Sequence, residues 1–259
     1  MFSVVWNNIF INPMFNLLIA LFKLTGNLGL AIILLTLVVR TILIPLVMPS
    51  MHAMQKQKEL QPEIDKIKKK FKNDKQKQAE AQMALFKQHG LNPAAGCLPQ
   101  IAMIVVLIAL YGVISRFSKD IDISQINIIL YFDFLKFASD AIISTKFGYL
   151  DLAKADPYFV LAILSGALQF VVSKMMQPYN EKGRAAAKST PDKTDDFAYN
   201  MQGQMLYMMP IMTVIISLKL PAGAVLYILT TTVFSAVQQY FVTGWGGLAP
   251  IINKWKSKA

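Results

Sequence analysis

The stretch LGLAIILLTLVVRTILIPLV, residues 28–47, carries a single charged residue, Arg40. A helix rises about 1.5 Å per residue and the hydrocarbon core of a bilayer is roughly 30 Å thick, so about 20 mostly apolar residues cross it. This stretch has that length and that composition. It predicts a transmembrane helix over residues 28–48, and with it an α-helical integral membrane protein.

The composition of the whole chain supports the same class. Of its 259 residues 54% are hydrophobic and 16% are charged, which is too apolar for an ordinary soluble domain. Four further apolar runs are long enough to be helical spans. The short one contains Pro210, where we expect a kink. These runs cover residues 98–115, 157–176, 204–219 and 222–242. The sequence therefore predicts an all-α membrane protein with five spans.

The charges between the spans predict the orientation. Lys and Arg number 18 on the predicted cytoplasmic side and 7 on the predicted outer side, counting Lys174 and Lys219 at the span ends with the side they adjoin, and Arg40 lies inside the first span. Positively charged segments stay in the cytoplasm, which places the N-terminus outside and the C-terminus inside. The outer parts are then residues 1–27, with an interfacial amphipathic helix at Asn12 to Thr25, and the loop 116–156. The cytoplasmic parts are residues 49–93, the loop 177–203 and the basic tail 243–259.

Residues 49–93 are rich in lysine yet keep helical periodicity, with Asn73 and Asp74 as a turn between two helical runs. We therefore predict a cytoplasmic helical hairpin with one apolar seam. Two roles remain open for it and are compatible: reception of clients, and contact between a basic amphipathic surface and anionic headgroups. The seam consists of Leu60, Ile64, Ile67 and Phe71 in the first helix and of Met83 and Phe86 in the second.

Arg40 requires an explanation because arginine at the centre of a spanning helix costs roughly 2.5 to 3.5 kcal/mol on insertion scales. Its side chain is expected to face a wet cavity or a partner, and Thr36, one turn earlier, adds a second polar group to that face. The alternative is that Arg40 extends along the helix to the cytoplasmic interface, which lies about eight residues away. No acidic residue occurs within the five spans to neutralise it.

Polar residues at helical spacing on two other spans favour the cavity. Each set also fits ordinary hydrogen bonding between helices. Together with Arg40 they predict a hydrophilic groove that carries one positive charge and attracts acidic segments of other proteins. These residues are Gln169 and Ser173 on the third span, and Thr231, Ser235 and Gln238 on the fifth.

The sequence lacks the residues that disulfides, metal sites and common catalytic motifs require. Cys97 is the single cysteine, and His52 and His89 are far apart in the sequence, so neither a disulfide nor a metal site is predicted. The sequence contains neither a phosphate-binding G-x-x-x-x-G-K-[ST] loop nor a His-Glu-x-x-His motif. We therefore expect no cofactor, no catalytic residue and no enzymatic activity.

Three groups of motifs resemble the YidC-type membrane protein insertases of the YidC/Oxa/Alb family, in its minimal five-span form. The first is LVVRTILIPL followed by the hairpin and NPAAGCLP, which enters the second span. The second is FGYLDLAKADPYFVLAIL at the third span. The third is MLYMMPIMTVIISLKLPAGAVLYILTTTVFSAVQQYFV, which covers the last two spans. They follow in order over most of the chain.

The resemblance implies five helices around a hydrophilic groove open to the cytoplasm and to lipid, with Arg40 contacting clients. It implies a bacterial-type plasma membrane location, nascent membrane proteins as clients, and the Sec translocon and translating ribosome as further partners. Family members often carry a glutamine one turn into the second span, where this chain has Met103 and, nearby, Gln100. The alternative function is an anion or small-solute transporter or channel, since a lone intramembrane arginine also suits an anionic solute.

Overall fold

The computed structural model describes residues 5–71, 74–91, 98–117, 123–139, 141, 143–176 and 197–256. Most of these residues are helical, and the strands described form one short hairpin, β1 (Lys146–Phe147) with β2 (Leu150–Asp151). The helices are α1 (Asn12–Thr25), α2 (Leu28–Glu59), α3 (Gln61–Lys70), α4 (Lys75–Gln88), α5 (Leu98–Ile114), α6 (Ile123–Ile129), α7 (Val160–Met176), α8 (Phe197–Ser217), α9 (Ala222–Thr243) and α10 (Ala249–Lys256). A π-helical turn precedes α1 at Asn7–Ile11, and 3₁₀ turns lie at Ser115–Phe117, Asp133–Leu135 and Gly246–Leu248.

In the part of the chain that the structure describes, three helices have the length and composition to cross a membrane: Asn7–Thr25, Leu28–Gln57 and Ala222–Thr243. Shorter apolar helices lie at Ile101–Ile114, Val160–Met176 and Leu206–Ser217. Two of the long helices and the three short ones coincide with the five predicted spans. The third long helix contains α1, which the sequence analysis assigns to the interface.

The chain divides into two compact units. The first comprises Met1–Leu43, Ile101–Gln169 and Pro210–Phe234. Its core is built by fully buried side chains from α1, the start of α2, α5 and α9, and Leu152 of the loop 116–156 adds to it. The second unit comprises Ile44–Gln100, Phe170–Met209 and Ser235–Ala259, and it contains the hairpin α3–α4. The hairpin residues thus belong to the second unit and the main apolar core to the first.

The loop 116–156 fixes the start of α9 within the first unit. The backbone N–H groups of Ala222 and Gly223 donate to the carbonyls of Lys154 and Leu152, at 2.7 and 2.9 Å. The first N–H groups of a helix lack partners inside it, so these carbonyls act as its cap. A Cβ on Gly223 would stand 3.0 Å from the Leu152 carbonyl oxygen, so glycine permits this approach.

Three helices differ in extent from the predicted spans, whose limits in the membrane stay predictions. Helix α2 continues beyond residue 48 to Glu59 through Pro45 and Pro49; proline removes a hydrogen bond but keeps a helical φ. Helix α7 begins at Val160, three residues after Pro157, because Phe159 has a φ of 57°. Helix α8 begins at Phe197, before the predicted fourth span. Most of the predicted loop 177–203, namely residues 177–196, lies outside the described residues.

The hairpin is confirmed, but the seam of its second helix is not the one predicted. In α3, Ile64 is buried, and Leu60, Ile67 and Phe71 are half-buried, as expected. In α4, Leu85 is the buried residue. Met83 is exposed and Phe86 half-buried, so Met83 was wrongly assigned to the seam. Helix α4 carries apolar side chains on two faces. Its packing against α3 buries the face that includes Leu85.

Asp74 begins α4 at the point where the sequence predicted the turn. Its carboxylate accepts a hydrogen bond of 3.0 Å from the backbone N–H of Lys77. This backbone bond, with the side chain of Lys77 beside it, holds the pKa of Asp74 below its usual value. Asp74 is therefore the N-cap of the second hairpin helix.

Gly166 in α7 marks a close approach of α7 to α8 within the first unit. A Cβ there would overlap the side chain of Val214 and stand 3.3 Å from the carbonyl oxygen of Pro210. We predict that Gly166→Ala destabilises the protein by about 1–3 kcal/mol, as overpacking does. The measurement is denaturant unfolding in detergent. The second substitution Val214→Ala should restore most of the loss, and an equal loss in both backgrounds would contradict this packing.

Candidate functional site

Arg40 lies in the first unit on α2, and only 5% of its surface is exposed. Its side chain is directed between helices and not toward the open surface. Nη2 donates a hydrogen bond of 3.1 Å to the backbone carbonyl of Thr231 on α9. The same nitrogen lies 3.2 Å from the sulfur of Met103 on α5. These contacts bind the guanidinium inside the bundle, so extension to the cytoplasmic interface is not the conformation observed.

The ring of Phe234 forms another wall of the site. The guanidinium carbon of Arg40 lies 5.7 Å from the centre of this ring, within cation–π range. The carbonyl, the thioether and the ring are all uncharged. Together they orient the guanidinium.

Helix α9 supplies one continuous face to this site. Tyr227, Thr231 and Phe234 follow at spacings of four and three, which places them on the same side of the helix. The hydroxyl of Tyr227 donates to the backbone carbonyl of Met103 at 3.3 Å and thereby links α9 to α5. The helices that hold Arg40 are thus joined to each other directly beside it.

The predicted groove residues have different outcomes. Thr231 does meet Arg40, but through its backbone carbonyl. Thr36 is buried. Its hydroxyl donates to the carbonyl of Ile32 in the same helix at 2.7 Å, so its hydroxyl proton is already engaged in a hydrogen bond within α2. Gln169 is half-buried in the first unit. A role for it in a groove stays a prediction.

The other predicted groove residues lie in the second unit. Ser173, Ser235 and Gln238 are half-buried there. The neighbouring Gln239, which the sequence analysis did not select, is buried and donates to the Thr243 hydroxyl at 2.5 Å. Gln100 lies in α5, but its side chain is outside the described part of the structure.

Two residues of the site were missed as contacts of Arg40. Phe234 has a detectable signal, because it lies three residues after Thr231 on the helical face already identified as polar. The sequence analysis notes Met103 only as the residue at the position where family members often carry a glutamine, and its contact with Arg40 joins residues 63 positions apart in the chain. Metal chemistry has no candidate: the described residues contain no cluster of three His, Cys, Asp or Glu side chains suited to an ion.

Comparison with known protein families gives a match to the model of the 60Kd inner membrane protein over residues 20–246. The chain belongs to the 60Kd inner membrane protein family. The match includes every helix that contributes to the Arg40 site. It begins within α1 and ends shortly after α9.

Curated relatives from this family have similar lengths or are much longer. The Membrane protein insertase YidC of Fusobacterium nucleatum is 33% identical over 220 residues, covering 85% of this chain and 88% of the relative. The Membrane protein insertase MisCA of Bacillus subtilis is 30% identical, covering 92% of this chain and 79% of the relative. The YidC insertase of Wolinella succinogenes is 35% identical, and there the alignment covers 90% of this chain but 37% of the relative.

A solved structure of a 60Kd family relative has the same fold. The crystal structure of an active YidC insertase with its first transmembrane domain resolved aligns with a TM-score of 0.56 at 24% identity. The alignment covers 85% of this chain and 43% of that protein. Together with the family match and the apolar helices, it shows that this chain is an all-α integral membrane protein.

The substitution Arg40→Met tests whether Arg40 stabilises the folded protein. Replacing buried ionic groups by apolar side chains of similar volume is often neutral or stabilising, by about 1–4 kcal/mol where a whole ion pair is replaced. We predict that Arg40→Met unfolds in detergent at the same denaturant concentration as the wild type or at a higher one. Leu110→Ala in the core of α5, where Leu110 is fully buried, is the control and should lose about 2–5 kcal/mol. A comparable loss in Arg40→Met would show a structural role.

Proposed function

We propose that this chain is a membrane protein insertase and chaperone, which captures translocating segments of nascent membrane proteins and releases their spanning helices into lipid. Family membership and the insertase names of its relatives support the class of function. The observation that carries the mechanism is Arg40: a buried guanidinium oriented by a carbonyl, a thioether and an aromatic ring, all of them uncharged.

The proposed architecture is five spans around a hydrophilic groove that opens to the cytoplasm and to lipid. The proposed groove residues are Arg40, Thr231 and Gln169 in the first unit, and Ser173 and Gln238 in the second. The excess of Lys and Arg in the predicted cytoplasmic segments supports an N-terminus outside and a C-terminus inside. The N-terminal helix α1 is proposed to lie in the interface.

The electrostatic attraction and the lipid act in sequence in this mechanism. At an effective dielectric constant of about 20, opposite charges 4 Å apart attract by about 4 kcal/mol, which suits transient capture of an acidic client segment. The client's apolar helix then moves into lipid, which is favourable by about 25 cal/mol per Å² of apolar surface removed from water. The cycle requires neither a nucleotide nor a catalytic residue.

The hairpin α3–α4 is proposed to receive clients before they reach the groove. Its exposed surface combines lysine side chains with the exposed apolar side chain of Met83. Such a surface suits both an emerging apolar segment and anionic headgroups. The Sec translocon and the translating ribosome are the proposed partners at this stage.

Insertion by purified protein in liposomes tests the proposal. The client is a single-span protein with an acidic outer tail, and the variants are Arg40→Ala and Arg40→Lys. We predict that the wild type inserts the client, that Arg40→Lys retains most of this activity, and that Arg40→Ala loses about tenfold, which corresponds to about 1.4 kcal/mol. The lysine restores the charge without the geometry of the guanidinium.

A client with a neutral tail is the matched control, and its insertion should change little in Arg40→Ala. An outcome in which none of the proteins inserts a client above empty liposomes, while the wild type moves a small anion, would replace the insertase by a transporter. Equal insertion of the acidic client by the wild type and Arg40→Ala would remove Arg40 from the mechanism.

A further inference from the structure

The outer loop is bound to α1 by a buried asparagine. The side-chain oxygen of Asn16 accepts a hydrogen bond of 2.7 Å from the backbone N–H of Tyr131. Its nitrogen donates to the carbonyl of Ile129 at 3.0 Å and to that of Asn12 at 2.9 Å. Asn16 is buried, so losing these loop contacts would leave a costly unsatisfied amide. The loop therefore has a fixed register on α1.

A second contact lies two helical turns further along the same face. Lys23 donates from Nζ to the backbone carbonyls of Phe134 and Lys136, at 2.8 and 2.7 Å. The same ammonium group lies 4.9 Å from the centre of the Phe137 ring. Asn16 and Lys23 together hold the segment from Ile129 to Phe137 parallel to the surface of α1 at two points.

Between these two contacts the loop presents large apolar side chains outward. We define the aromatic ridge as Ile128, Tyr131, Phe132 and Phe134. Their exposed fractions lie between 56% and 77%, although each side chain is large enough to stabilise a core. The rings of Phe132 and Phe134 are stacked with centres 5.4 Å apart, so they form one continuous apolar surface. In contrast, Ile126 and Leu130 in the same segment are buried.

We propose that the aromatic ridge is a lipid contact, which seats the outer loop in the headgroup region of the outer leaflet beside α1. Helix α1 adds the exposed apolar side chain of Leu24. Because Asn16 and Lys23 fix the loop to α1, the ridge and this surface lie in one body and meet the membrane together. Aromatic side chains concentrate at this level of the bilayer, where tyrosine has an apolar ring and a polar hydroxyl.

The charged residues around the aromatic ridge also favour lipid as its contact. Lys23 and Lys136 border it, and Lys136 pairs with Asp133 at 2.6 Å on the exposed side of the loop. Ammonium groups next to exposed aromatic rings match the phosphates and upper acyl chains of lipids. This inference does not rest on insertase activity, and the outer side follows from the proposed topology.

Tryptophan fluorescence with lipid-borne quenchers tests the inference. The background replaces Trp6, Trp245 and Trp255 by Phe, and its unfolding in detergent must match the wild type. Phe132→Trp and Phe134→Trp are then reconstituted as full chains into vesicles with bromine near the headgroup or near the end of the acyl chain. We expect bromine near the headgroup to remove about half of the emission, since aromatic rings sit at that level, and bromine at the chain end to remove less.

Lys154→Trp is the matched control, because Lys154 is an exposed residue of the same outer loop, paired with Asp151 on the surface. The emission of this tryptophan should be quenched by neither brominated lipid and should be quenched by aqueous acrylamide. If the ridge tryptophans behave as this control does, the ridge is in water and the inference is overturned. If they are protected from both acrylamide and bromine, a protein surface covers the ridge, for example a second copy of this chain, and the lipid contact is equally overturned.

Discussion

The cost of an arginine within a hydrocarbon-spanning helix is the constraint around which the first unit is organised. A guanidinium that reaches lipid without partners costs roughly 2.5 to 3.5 kcal/mol on insertion scales, and more without water. The fold meets this cost with hydrogen-bond acceptors from two other helices: the carbonyl of Thr231 on α9 and the sulfur of Met103 on α5. These contacts hold the charge in place inside the bundle.

The loop 116–156, which is predicted to lie outside, supports that arrangement from a distance. The carbonyls of Leu152 and Lys154 cap α9, the helix whose inner face carries Thr231. The carboxylate of Asp156 in turn accepts from the N–H of Leu161 at the start of α7, at 2.8 Å. One short stretch of the outer loop thus sets the starting points of two spans, and the aromatic ridge would set its depth in the bilayer.

The sequence allowed correct prediction of what depends on local composition. The run Ala222–Thr243 is apolar and uninterrupted, and its helix begins and ends within one residue of the prediction. The end of α2 could not be predicted, because Pro45 and Pro49 usually indicate a boundary yet fit a helix. The buried face of α4 could not be predicted either, since Leu85 and Met83 both lie at positions that could face α3. The pairing of Arg40 with Met103 depends on how distant helices pack, which periodicity does not reveal.

The central claim is that the charge of Arg40 acts directly on the charge of the client, and a thermodynamic cycle measures this coupling most directly. Insertion rates would be compared for the wild type and Arg40→Met, each with clients whose outer tails carry increasing numbers of aspartates. The account predicts that added aspartates accelerate insertion by the wild type and that this dependence disappears in Arg40→Met. An identical dependence on tail charge in both proteins would contradict it.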